Sequence, residues 1–213
     1  AILYDGNRGV PYHLIRDGNL KPDDQRAVLQ AGRMFADIPF NIVDAGSLTI
    51  GRLNAIVRRW KRRMAARGQS LDLVVVDYLQ LLRADGKTSG AYETVSEVSR
   101  GLKALAKTHD VGIMALAQLS REVEKRTDKL PMLSDLRDSG QIEQDADAVL
   151  FLYREEYYLR QAMTDPSSDA YDKAAQALEY VKDEIDFIVA KRRNGETGSA
   201  KGIFKGAFQA VLS

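Results

Sequence analysis

With 213 residues, 45% apolar and 29% charged, the chain has the composition of a soluble globular protein long enough to bury a substantial core. The 31 basic against 30 acidic residues exclude a nucleic-acid binder recognisable by net charge, so any basic surface has to come from local clustering, and zero cysteines exclude disulfides and thiolate metal sites. No run approaches about 18 apolar residues, and Asp5 and Arg8 fall where a signal peptide needs an apolar stretch, which argues against a membrane and for the cytoplasm.

The first residue is Ala rather than Met, which reads as a processed or truncated piece. Pro22, Asp23 and Asp24 open a helical pattern in which Val28, Leu29, Met34 and Phe35 share a face, with proline in the first turn and acids near the positive end of the dipole. Residues 41–44 read as a short strand. Residues 49–67 form an amphipathic helix with Leu53, Ile56, Val57, Trp60 and Met64 at three and four spacing, closed by Gly68. Its other side holds Arg52, Arg58, Arg59, Lys61, Arg62, Arg63 and Arg67, which is read as a solvated face.

Residues 73–82, LVVVDYLQLL, are an aliphatic run that ends in an acid, Asp77. Buried parallel strands read as continuous Val/Ile/Leu runs, and ligands of open α/β sheets sit beyond their carboxyl ends. A helix is expected over 92–109, carrying Val95, Val98, Leu102 and Leu105, and a second apolar run, 111–117, ends in Gln118. Strand, helix and strand at this spacing predict a right-handed parallel crossover that brings Asp77 and Gln118 to one edge of the sheet. Further strands are expected over 148–153 and 185–190. Between them, residues 159–184 form a peripheral helical excursion broken at Pro166, Ser167 and Ser168, and residues 199–212 a hairpin at the sheet edge. The whole chain reads as one α/β domain without internal repeats.

The usual partner of an acid such as Asp77 is a phosphate loop, G-x-x-x-x-G-K-S/T, whose backbone N–H groups cradle phosphates. Two segments come close and fail. Gly86, Lys87 and Thr88 supply the end of the motif, but its first glycine would fall at Leu81. The stretch from Gly195 to Gly202 has Ala200 at the second glycine and Gly202 at the hydroxyl position, and strand-like residues follow it.

The remaining constellations each keep two readings. Asp77 is placed to hold a water of a nucleotide-bound Mg2+, or it simply ends a strand and caps a turn. Gln118 is of the type that senses a terminal phosphate or orients a water, or it is a surface glutamine. Residues 120–147 are too polar for a core. Arg121, Lys125, Arg126, Lys129 and Arg137 suit a phosphate backbone, with Ser139, Gly140 and Gln141 as donors, while five interspersed acids favour a solvated loop. Lacking aromatics, the segment would contact backbone rather than stack on bases. Lys191, Arg192 and Arg193 precede Gly195 on a turn, either as an arginine-finger arrangement or as a basic surface turn. His13 and His109 have no metal-ligand spacing around them.

Four stretches taken together, VVVDYLQLL at 74–82, SRGLKALAKTHDVGIMALAQLSREVEKR at 99–126, SDLRDSGQIEQDADAVLFLYREEYY at 134–158 and KRRNGETG at 191–198, resemble the carboxy-terminal RecA-like motor domain of bacterial or phage replicative DNA helicases of the DnaB type. The resemblance implies a mostly parallel central sheet flanked by helices, ATP and Mg2+ as cofactors, translocation on single-stranded DNA, and a homo-hexamer with primase and a helicase loader as further partners. It makes Asp77 the Walker B acid and Gln118 the coupling glutamine, and it places Arg137, Asp138 and Gly140 in the DNA-binding loop. Lys191 and Arg193 match the cations supplied in trans to a neighbour's ATP. The family's phosphate loop and catalytic glutamate match no residue here, so the chain by itself is expected to be inactive. A non-catalytic RecA-like module that binds DNA or a helicase partner is the alternative.

Overall fold

The structure is a computed structural model that describes residues 9–36, 38–136, 140–164 and 166–212. In chain order its elements are α1 (Tyr12–Arg16), α2 (Pro22–Ala36), β1 (Leu48–Thr49), α3 (Ile50–Ala65), β2 (Leu73–Val76), β3 (Leu82–Arg83), α4 (Ala91–His109), β4 (Gly112–Ala115), α5 (Gly140–Asp145), β5 (Ala148–Tyr153), α6 (Glu155–Ala162), α7 (Asp169–Val181), β6 (Glu184–Arg192), β7 (Gly198–Lys205) and β8 (Ala210–Leu212). The chain divides into two compact units. One comprises Ala1–Ile42, Leu150–Val189 and Thr197–Ser213; the other comprises Val43–Val149 and Ala190–Glu196.

The second unit is built on the expected crossover. β2 and β4 pair in parallel from Leu73 opposite Gly112 to Val76 opposite Ala115, and α4 connects them. Along α4, Val95, Val98, Leu102 and Leu105 recur at three and four spacing and bury against Leu53 and Val57 of α3 and against Val76 and Leu79. Val98 is fully enclosed, and burial of such a side chain contributes roughly 1.5–3 kcal/mol. A Cβ at Gly101 would lie 2.8 Å from Cγ2 of Ile50, so glycine lets α3 and α4 approach closely. α3 starts where Thr49 Oγ1 accepts the N–H of Arg52 at 3.3 Å and the Asp85 carboxylate accepts that of Gly51 at 2.9 Å, satisfying two otherwise orphaned donors. Its arginines 52, 58, 59, 62 and 63 are exposed while Leu53, Val57 and Met64 are buried, as expected of a solvated face.

In the first unit the strand order is β5-β6-β7-β8, with β6–β7 and β7–β8 antiparallel, so the expected terminal hairpin is present. Phe151, Ile185 and Ala210 are buried from its strands, and α6 packs on α7, which is opened by the Ser168 hydroxyl accepting the N–H of Tyr171. A buried carboxylate, Glu156, accepts from Arg160 at 2.8 Å, from Arg154 at 3.2 Å and from the N–H of Asp183 at 3.0 Å. No helix among the described residues is long and apolar enough to cross a membrane.

Three local expectations change. Residues 41–44 are not a strand: Ile42 is 81% exposed with no strand beside it, and the short strand is instead β1, paired in parallel with β3. α2 buries only Ala31, and its apolar face, including Leu29 at 66% and Met34 at 68% exposure, meets no cover among the described residues. The excursion over 159–184 is two packed helices, because α6 already begins at Glu155 and the Pro166 region separates it from α7.

Candidate nucleotide and nucleic-acid site

Beyond Val76 the β2–β4 ladder continues, with the N–H of Leu116 donating to Val76 O at 2.9 Å and that of Leu79 to Leu116 O at 2.8 Å. This holds the exits of both strands side by side. Asp77 is the first residue past β2; it is exposed, and its carboxylate has no hydrogen-bond or ion-pair partner among the described residues. A strand-end acid that caps a turn would show such a partner. Gln118 follows β4, and its main chain is gripped at both polar atoms by one side chain: its N–H donates to Oε1 of Gln80 and its carbonyl accepts from Nε2, each at 3.2 Å. Gln80 has no assigned role in the sequence reading. Its signal was a lone amide inside the aliphatic run of 79–82.

The polar segment that follows is more ordered than its composition suggests. Arg126 reaches across a turn to place Nη1 2.9 Å and Nη2 2.7 Å from the two oxygens of Asp135, which is 4% exposed, and Nη2 also donates to Leu130 O at 2.8 Å. The same carboxylate accepts the N–H of Met132 at 2.9 Å. Arg126 is thus a structural clamp rather than a phosphate ligand. Lys129 donates to the carbonyls of Glu124 and Arg126, and Lys125 pairs with Glu122 at 2.7 Å. Five alternating charges therefore satisfy one another locally, which is why the run carries little net charge yet folds. The clamp returns the chain to where it left: Leu119 bridges Leu136, and Ser120 N–H donates to Asp135 O at 2.8 Å. The next residues, Arg137 and Asp138, lie outside the described residues. Gly140 begins α5, exposed, with nothing within 4 Å of a Cβ placed there.

Lys191 and Arg193 are brought together at the opposite end of α5. Lys191 Nζ donates to Glu143 O; the N–H of Arg193 donates to Asp147 O at 2.8 Å, its Nη2 to Gln144 O at 3.2 Å, and its Nη1 lies 3.1 Å from Asp147 Oδ1. Asp147 also pairs with Lys103 of α4, whose hydrogen bond holds its carboxyl below the ordinary range against the opposing pull of desolvation. No hydrogen bond or ion pair among the described residues joins this group to Asp77 or Gln118. No group of three or more His, Asp or Glu able to hold a metal occurs among the described residues either.

Parallel strands linked by a helix, an unpartnered acid at one strand end and a braced amide at the next define a nucleotide-binding core of the RecA-like class, and the solved structures agree. A DnaB-like replicative helicase, reported with its interactions with primase, superposes with a TM-score of 0.80 at 32% identity over 95% of this chain and 44% of that one. A helicase ATPase domain gives 0.80 and 32% over 95% of this chain and 65% of that one. Residues 3–212 match the family of the DnaB-like helicase C terminal domain, and the chain belongs to it. Its relatives include the replicative DNA helicase DnaB of Rickettsia prowazekii (strain Madrid E), 39% identical over 194 residues that make up 91% of this chain and 39% of that protein. That of Geobacillus stearothermophilus is 38% identical over 191 residues, 89% of this chain and 37% of the relative. The chain thus spans about two fifths of the length of the curated relatives it matches.

Proposed function

We propose that these residues are the carboxy-terminal part of a replicative helicase motor, in which ATP hydrolysis drives translocation on single-stranded DNA and duplex unwinding in the cytoplasm. The observation that carries this reading is the shared exit of β2 and β4. A free carboxylate and a braced glutamine stand there, and the root of the 137–140 loop is stitched to the residue after Gln118. One element pair thereby presents both a nucleotide-facing and a DNA-facing feature. A hard oxygen donor such as Asp77 fits Mg2+ held through water, with nucleotide phosphates supplying other ligands; bound there, the ion neutralises charge on the transferring phosphoryl group. Gln118 reads the terminal phosphate, Arg137, Asp138 and Gly140 follow the DNA backbone, and Lys191 and Arg193 serve the ATP of an adjacent subunit in a homo-hexamer. Primase and a helicase loader are the expected protein partners.

The 213 residues contain no phosphate-loop motif, so by themselves they turn over no ATP above an Asp77→Ala control. In the complete protein, Asp77→Asn abolishes magnesium-dependent turnover. Arg193→Ala leaves nucleotide binding within about twofold but stops hydrolysis, and mixed hexamers lose activity in proportion to neighbouring pairs rather than to subunits. Full turnover by a monomeric complete protein, or by the Asp77→Asn hexamer, refutes the reading and favours a non-catalytic RecA-like module.

A further inference from the structure

The two cations assigned to a neighbour's site are not free on their turn. Four contacts hold them to the last turn of α5 and to Asp147 just beyond it. The carbonyl end of a helix carries partial negative charge and orphaned acceptors, so it suits cations. α5 is itself fixed to α4 by Ser99 Oγ donating to Asp145 at 2.8 Å, by the Lys103–Asp147 pair, and by Ile142 in the buried cluster. Gly140, at the other end, is a residue of the candidate DNA loop. Six residues of α helix are about 9 Å long, so a short rigid rod separates the DNA-facing glycine from the carbonyls that grip Lys191 and Arg193. Arg193 keeps a side chain 49% exposed, and a guanidinium has five N–H donors, of which the two side-chain contacts engage only part. The residue is thus aimed by its own chain while retaining donors to offer elsewhere.

We propose that Asp147, with the carbonyls of Glu143 and Gln144, is a cradle that positions Lys191 and Arg193, and that DNA held by the 137–140 loop resets this cradle through α5. The inference rests on the helicase reading above. Asp147 is a positioning residue: it acts on a neighbour's nucleotide only through Arg193. DNA occupancy in one subunit is thereby reported to the nucleotide of the next, without any contact between DNA and ATP.

The test uses the complete hexameric protein with ATP and a single-stranded thymidine oligonucleotide. Asp147→Ala is expected to lower DNA-stimulated kcat at least tenfold and to bring the ratio of stimulated to unstimulated turnover towards one. The KM for ATP and the Kd for the oligonucleotide stay within twofold. Asp147→Asn, which keeps shape and an acceptor but no charge, is expected to lose about three- to fivefold, and Lys103→Met, which frees Asp147 from α4, moves the ratio the same way. Introduced into an Arg193→Ala background, Asp147→Ala is expected to change residual turnover less than twofold, as for two residues on one path. Wild-type stimulation in Asp147→Ala and Asp147→Asn overturns the proposal, and so does an undiminished Asp147→Ala effect in the Arg193→Ala background. If Asp147→Ala fails to assemble, Asp147→Asn and Lys103→Met carry the same decision. An unmodified hexamer without ATP turnover defeats the helicase reading itself; an active one with an inactive Arg193→Ala variant and a fully stimulated Asp147→Ala variant defeats only the cradle.

Discussion

Removing the guanidinium of Arg126 tests whether the root of the 137–140 loop is held by one buried ion pair. In Arg126→Ala, the Asp135 carboxylate loses its two guanidinium bonds and keeps one backbone donor, Met132 N–H, in a position whose side chain is 6% exposed. Breaking a buried pair costs about 3–5 kcal/mol when water is kept out. The Arg126 side chain is 29% exposed, so water enters the vacated space and the cost falls to about 2–3 kcal/mol, near two charge-assisted hydrogen bonds at the low end of their range. The loss is local, because the stitches it supports are Leu119 to Leu136 and Ser120 to Asp135. Amide hydrogen exchange at Ser120 and Met132 should therefore accelerate about 30- to 150-fold, while Val98 and Leu102 amides in α4 hold their rates. Arg126→Lys keeps the charge but not the fork and should fall between. Unchanged exchange at Ser120 and Met132 in Arg126→Ala would show that the segment is held by other means.

Gln80→Ala removes two 3.2 Å bonds from the Gln118 backbone, worth about 1 kcal/mol together at a partly exposed site, so exchange at the Gln118 amide should rise about fivefold; an unaltered rate removes Gln80 as a brace. Gly101→Ala drives a Cβ to 2.8 Å from Ile50 and should cost about 1–3 kcal/mol, lowering Tm by about 2–12 °C, with Ile50→Val restoring part of it; equal Tm values refute the close crossing of α3 and α4. Glu156 is pushed up by burial, but bonds from Arg160, the Asp183 N–H and Arg154 outweigh this and hold its carboxyl below the usual range. Its stabilisation is then complete above the unfolded value, about 4.3, and lost as pH falls through the lower folded one. Denaturant titrations should show Glu156→Gln less stable than wild type at pH 7 and the gap closing below pH 4, and a gap independent of pH would contradict the assignment.

Elements whose burial is internal to a short stretch were legible from residues alone. The 3.6 period of Val95, Val98, Leu102 and Leu105 and the unbroken run of 73–76 each fix an element and its buried side, and the parallel crossover follows from chirality. Asp77 and Gln118 were legible as strand-end residues for the same reason. What escaped depends on partners remote in sequence. Ile42 and Val43 have strand-forming side chains but no neighbouring strand, so propensity alone misplaced the short strand that Leu48 and Thr49 form with Leu82 and Arg83. The apolar side of α2 has the right period, yet its residues stay exposed, because periodicity says which side is apolar and not what covers it. Arg126 and Asp135, nine residues apart in a run of mixed charge, gave no signal that they rather than Lys125 or Asp128 would form the buried pair. The cradle of Lys191 and Arg193 joins residues 46 to 49 positions apart, beyond any local pattern.

Gln80 grips the main chain of residue 118 and makes no printed bond to its side chain. The socket is therefore independent of the reagent mounted in it. Glutamate, histidine or asparagine exchanged into position 118 should inherit the same seating, so differences among such variants report on the chemistry of the side chain rather than on its displacement. A lineage that altered this amide would keep its geometry and change only the reactivity, whereas a change at position 80 would disturb the seating of whatever stands at 118.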